Sequence, residues 1–135
     1  MRPYGFGVRP LGESDLYRLC DENGLTLVWG DDKFAFTLTD DLGTYINLPK
    51  RERGLKLLLT GFHELTHALG GHAGETPSVL YKGKYDDKNE VEADAMALIA
   101  LIPLSHLGRI DFLDGSRIAK KIYDDRLRLY FWYGI

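Results

Sequence analysis

The chain has 135 residues, 44% hydrophobic and 12% aromatic, with a formal net charge of −3 and a single cysteine. That length suits one domain, 1–135, built round one core, and the apolar content excludes a disordered chain. The acidic balance argues against nucleic acid or an anionic membrane as the main partner, and Cys20, standing alone, can form no internal disulfide.

The opening stretch MRPYGFGVRPLG holds no apolar run of the kind a secretory leader carries, and nowhere do eighteen apolar residues follow one another. A cytoplasmic protein without membrane spans is therefore expected. Residues 13–22 predict a short helix with Leu16, Tyr17, Leu19 and Cys20 on its inner face and Asn23-Gly24 as its stop. Residues 25–29, LTLVW, read as a strand, with Trp29 assigned to the core. In FAFTLT the alternation of Phe34, Phe36 and Leu38 with small residues predicts a second strand whose aromatic face is buried. Residues 44–48 predict a third. The short turns at 30–33 and 40–43 imply an antiparallel three-stranded meander, with the third strand, around Tyr45 and Leu48, at a free edge where an extended substrate could pair.

Pro49 is read as opening a helix in which Leu55, Leu58, Leu59, Phe62, Leu65 and Leu69 recur at spacings of three and four, ending at Gly70-Gly71. Within it lies HELTH. His63 and His67 stand one turn apart on one face, about 5 to 6 Å between Cβ atoms, close enough for both imidazoles to hold one Zn²⁺. Glu64 projects beside them, where its carboxylate can take a proton from water, the arrangement that marks metallopeptidases. A competing pattern places a third histidine six residues after the second. Here that position is Ala73, and His72 falls one residue early, so His72 is expected along the cleft or just past the helix stop.

Residues 72–88 are polar and read as a long loop over the site. Tyr81 and Tyr85 within it are candidates to contact a substrate carbonyl or oxyanion, although a tyrosine ring packed on the surface is the commoner use of the residue. Residues 89–103, NEVEADAMALIALIP, predict a second helix on which Glu90 and Asp94 share a face and Glu92 points to solvent. Glu90 is assigned as third ligand, because two histidines and one carboxylate leave a fourth tetrahedral position open. Asp94, set among Ala93, Ala95, Met96 and Ala97 where an unpaired carboxylate would be costly, is expected to accept the spare ring N–H of His63 or His67.

After Pro103, His106 is read as structural. Ser116 and Asp124 are read as N-caps of two short helices, 117–123 and 125–133. The pair is similar in outline to a helix-turn-helix, with Arg117, Lys120, Lys121, Arg126 and Arg128 as its positive charges. Ile118, Ile122, Leu127, Leu129, Phe131 and Trp132 are instead what core packing requires, so the charges are expected on a solvated face and direct nucleic-acid binding is not expected.

The order strand, HELTHALGGH helix, loop and NEVEADAMALIALIP helix resembles the ImmA/IrrE family of small zinc metallopeptidases over roughly residues 44–103, and IAKKIYDDRLRLYFWYGI is similar to that family's closing helices. Thr66 stands where a glycine is common in it, Asp94 where asparagine is common, and Met96-Ala97 where Phe-Ala is usual. The resemblance implies a gluzincin-like fold, zinc on His63, His67 and Glu90, and Glu64 as general base. It also implies a regulatory role, cleavage of a transcriptional repressor or related DNA-binding regulator in a phage, mobile element or stress response.

The expected fold class is α+β: a small, mainly antiparallel three-stranded sheet packed on the metal-binding helix and a second ligand-bearing helix, with helices at the C-terminal end. The expected function is zinc-dependent endopeptidase acting on a protein substrate. The alternative is a catalytically silent zinc-binding or partner-binding module.

Overall fold

The computed structural model describes residues 4–70, 88–108 and 116–135. Its class is α+β: helix α1 (Glu13–Glu22), strands β1 (Leu25–Gly30), β2 (Phe36–Asp40) and β3 (Gly43–Pro49), then helices α2 (Gly54–Leu69), α3 (Lys88–Leu101) and α4 (Arg117–Tyr133), with a 3-10 turn at Leu104–His106. Among the described residues no helix is long and apolar enough to cross a membrane.

Helix α1 starts where Asp15 accepts the Gly12 N–H at 2.8 Å, and it stops where Asn23 Nδ2 caps the Leu19 carbonyl at 2.8 Å. Asp15 also holds Arg9, at 2.6 Å, and that hydrogen bond keeps its carboxyl down at about 2 despite burial. Leu16, Leu19 and Cys20 are buried, as the spacing predicts, but Tyr17, expected on the same face, is 38% exposed, being one position round the helix from the buried side.

The sheet runs in the order β1-β3-β2. The β2–β3 hairpin is antiparallel, turning at Asp41-Leu42 with the Leu42 N–H on Asp40 Oδ1 at 2.8 Å. The β1–β3 pairing is parallel, from Leu25↔Thr44 to Gly30↔Pro49, which corrects the expected antiparallel meander. Five residues between β1 and β2 let the chain step across two strand spacings, and β3 fills the gap. Burial decides the placement: Ile46, Asn47 and Leu48 are all buried, which only a central strand achieves. So β3 is not the free edge, and among the described residues the sheet's edge strands are β1 and β2.

Two further expectations about the sheet change. Trp29 is 40% exposed and stacks edge-on against Tyr17 at 6.3 Å instead of entering the core. In β2 and the residues leading into it, Ala35 and Thr37 are buried, while Phe34 is exposed. Helix α2 lies on that side, where the Thr37 hydroxyl reaches Glu64.

Pro49 closes β3 rather than opening the helix. The chain turns over residues 50–53 and enters α2 at Gly54, whose φ of 63° is a conformation that glycine takes without strain. Leu57, Phe62 and Leu65 are buried at the centre of the core, with Phe6 edge-on to Phe62 at 5.6 Å. Gly61 meets α1: a Cβ there would lie 2.5 Å from Leu16 Cδ2, so the glycine sets how closely the two helices approach. Helix α3 packs along α2, and its Ala93, Ala97, Ala100 and Leu101 are all buried.

Residues 117–133 form one helix, capped by Ser116 Oγ on the Ala119 N–H at 3.3 Å. There is no break at Asp124, so the two-helix reading and its helix-turn-helix outline are replaced. Asp124 and Asp125 sit mid-helix because each pairs with a lysine one turn back, at 3.2 Å and 2.7 Å. Arg126 is not on the solvated face. It is fully buried, donating from Nε to the Ile102 carbonyl and from Nη2 to the Ile135 carbonyl, both at 2.6 Å, and so ties α4 to the end of α3. Phe131 and Trp132, expected to pack, are each 73% exposed.

Candidate metal centre

Helix α2 delivers His63, Glu64 and His67, and α3 delivers Glu90 and Asp94. One turn apart on α2, the two imidazoles sit edge to face with ring centroids 4.9 Å apart. Their Nε2 atoms are 3.2 Å from each other. Glu90 spans the pair: Oε1 lies 2.6 Å from His67 Nε2 and Oε2 lies 3.2 Å from His63 Nε2. One ligand atom from each of His63, His67 and Glu90 falls within 4.8 Å of the others, so the group could hold a metal ion. These are the residues the sequence nominated.

Asp94 accepts from His63 Nδ1 at 2.7 Å, which settles which histidine it serves. The expected reason is corrected, however. Asp94 is not enclosed by its alanine neighbours; its side chain is 73% exposed, so the carboxylate stays hydrated while it orients the ring.

The donor set itself asks for a cation. A carboxylate can only accept, so His63 Nδ1 is the donor to Asp94, and in the neutral ring Nε2 is then a bare lone pair. That lone pair faces Glu90 Oε2 and His67 Nε2, each at 3.2 Å. Two acceptors in contact require positive charge between them, either a proton or a metal ion. Three carboxylates, Glu64, Glu90 and Asp94, surround two imidazoles, so a divalent ion fits the surplus of negative charge. Without a metal the proton wins. Burial pulls the His63 pKa down, but hydrogen bonds to Asp94 and Glu90 and the charge of Glu64 lift it to about 10. The Glu90 carboxyl is lowered, chiefly by its hydrogen bond with His63.

Glu64 is 3% exposed, and burial raises its carboxyl to about 7 against the opposing pull of His63 and Thr37. Its Oε1 accepts the Thr37 hydroxyl at 2.9 Å, and Oε2 lies 3.7 Å from His63 Nε2. One oxygen is thus anchored on the sheet while the other faces the histidine pair. Thr37 is the residue of this cluster that sequence reading missed. Its only signal was a place opposite Phe36 and Leu38 in an alternating strand, a face taken for the solvent side.

Thr66, in the position between the histidines, is fully buried with its hydroxyl on the Phe62 carbonyl at 2.8 Å. A threonine is accommodated there without an orphaned polar group. His106 stands apart from the cluster, in the 3-10 turn beside Ser105. His72, Tyr81 and Tyr85 lie outside the described residues.

Comparison with protein-family models, curated proteins and solved structures finds no match for this chain. The chemistry of the centre therefore stands on the residues themselves.

Proposed function

We propose that this chain is a zinc-dependent endopeptidase, similar to the ImmA/IrrE metallopeptidases, that cuts a specific protein substrate such as a DNA-binding repressor or regulator. One observation carries the reading: two imidazoles and a carboxylate from a second helix converge, with a buried glutamate held beside them by a strand of the sheet. Softness and number of donors suit zinc, with His63, His67 and Glu90 as its ligands and Asp94 fixing the His63 tautomer. When bound, zinc supplies Lewis acidity, which polarises a carbonyl and acidifies water.

The chain's own residues do the rest. Glu64 accepts a proton from the attacking water and returns it to the leaving amine, and a carboxyl pushed toward neutrality suits both transfers. Thr37 aims that carboxylate by holding Oε1, so Oε2 is the oxygen presented to the reaction. Among the described residues β2 pairs on one side only, with β3. An extended peptide added to its open edge would run past Thr37 and so past Glu64.

Protein purified without a metal-affinity tag should contain one zinc per chain by elemental analysis and should cleave candidate regulator proteins at a discrete bond. Glu64→Gln should keep the zinc and lose about 10²- to 10⁴-fold in turnover. Full activity in that variant would remove Glu64 as the base. Stoichiometric zinc with no hydrolysis, even with the partner present, would favour the silent binding module.

A further inference from the structure

Away from the metal centre, a pocket of about 600 Å³ opens where the carboxyl ends of the parallel strands β1 and β3 meet the start of α2. Five cationic side chains line it, Lys33, Lys50, Arg51, Arg53 and Lys56, against three carboxylates. The pocket is thus net +2 within a chain of net −3, which leaves −5 over the rest of the molecule. Ion pairs consume part of the lining: Lys50 meets Asp31, and Lys56 lies 3.8 Å from Glu52. The Arg53 guanidinium sits on the carbonyls of Lys50 and Glu52, at 2.6 and 2.7 Å, and pairs with no carboxylate among the described residues. Lys33 and Arg51 are exposed with their charges likewise unpaired there, and only Asp32 opposes these three. A cluster of free cations on an otherwise acidic protein concentrates positive potential at one place.

Its location ties it to the centre. Lys33 precedes Thr37 by four residues, and Thr37 touches Glu64, so at most about 14 Å of chain separates them. On the other side Lys56 precedes Glu64 by eight residues of α2, about 12 Å along the helix. An extended peptide covers either span with about four residues.

We propose that this pocket is a specificity subsite that receives acidic side chains of the peptide substrate, about four residues from the bond that is cut. The inference rests on the peptidase reading for its substrate, and its openness and mixed lining suit a flexible acidic segment. The free cations would supply the recognition, and the paired ones the walls.

Labelled ten-residue peptides of one neutral core, carrying an Asp-Glu, Ser-Ser or Lys-Lys pair four residues to either side of the centre, test this by fluorescence anisotropy. The zinc-loaded Glu64→Gln protein serves as receptor, so that no peptide is consumed. At low salt the acidic peptide should bind roughly tenfold tighter than the serine peptide, the lysine peptide more weakly still, with the difference shrinking as salt rises. In a Lys33→Glu, Arg51→Glu double variant, shown to be folded by circular dichroism, the order should reverse. Equal binding of the three peptides, or a preference that survives the reversal, overturns the subsite. Cleavage by the wild-type chain without acidic preference would sink the subsite alone. Acidic selectivity in a wild-type chain that also leaves candidate regulator proteins uncut would sink the peptidase reading and leave the pocket standing.

Discussion

Thr37 shows how much one hydroxyl can decide. It donates to Glu64 Oε1 at 2.9 Å and also lies 3.1 Å from the Glu64 carbonyl, so it fixes both the side chain and the turn of α2 that carries it. A hydrogen bond to a charged, buried acceptor contributes about 1.5 to 3 kcal/mol, which corresponds to roughly ten- to hundredfold in rate if the carboxylate loses its aim. Thr37→Val should therefore lower kcat by that factor with zinc content unchanged, whereas Thr37→Ser should retain most activity. Wild-type kcat in the valine variant would reduce the contact to packing. At this scale the cluster that could hold a metal ion was legible because spacing alone puts His63 and His67 on one face of α2 and Glu90 and Asp94 on one face of α3. Thr37 was not legible, because nothing in FAFTLT says which face of the strand the helix will cover.

At the scale of elements, the close approach of α1 and α2 is set by a residue with no side chain. Gly61 leaves room for Leu16, which is fully buried and has nowhere to retreat. Gly61→Ala improves helix propensity by about 1 kcal/mol but forces a methyl against Leu16, an overpacking that costs about 1 to 3 kcal/mol. The expected net result is a melting temperature lower by a few degrees in thermal denaturation monitored by circular dichroism, with a Leu16→Ala second substitution relieving the clash. A more stable Gly61→Ala protein would show that the helices can part freely. Helix extents were readable where caps and periodicity agreed, as in α1. They were misread where a residue type had two uses: Asp124, an N-cap by composition, is a mid-helix ion-pair partner of Lys120. Strand order was misread for a different reason. Short connections permit both a meander and an inserted central strand, and only the continuous burial of Ile46, Asn47 and Leu48 separates them.

At the scale of the whole molecule, the centre joins α2 to α3, so metal binding, protonation and stability are one linked equilibrium. In the metal-free chain the His63 pKa is raised from 6.5 to about 10. A raised histidine stabilises the fold fully below its unfolded value and loses that contribution as pH climbs through the folded one, here from about 6.5 to 10. On the proposed reading a bound metal ion would take the place of that proton, since a ligating imidazole must be neutral. Displacing one proton makes apparent zinc affinity rise about tenfold for each pH unit across the same window. These are one effect seen twice: as pH rises the metal-free fold weakens while the loaded fold, whose His63 would carry no extra proton, does not, so the melting-temperature gap between loaded and chelated protein should widen from pH 6.5 to 8.5. At a free zinc concentration one hundred times Kd, binding contributes about 2.7 kcal/mol, enough to move the melting temperature by several degrees. Chelator competition at several pH values measures the slope, and calorimetry in buffers of different ionisation enthalpy counts the proton released. An affinity that stays flat over this range would mean that the His63 ring carries no proton to give up, and the cluster would then have to be held together by something other than the Asp94–His63–Glu90 chain of hydrogen bonds.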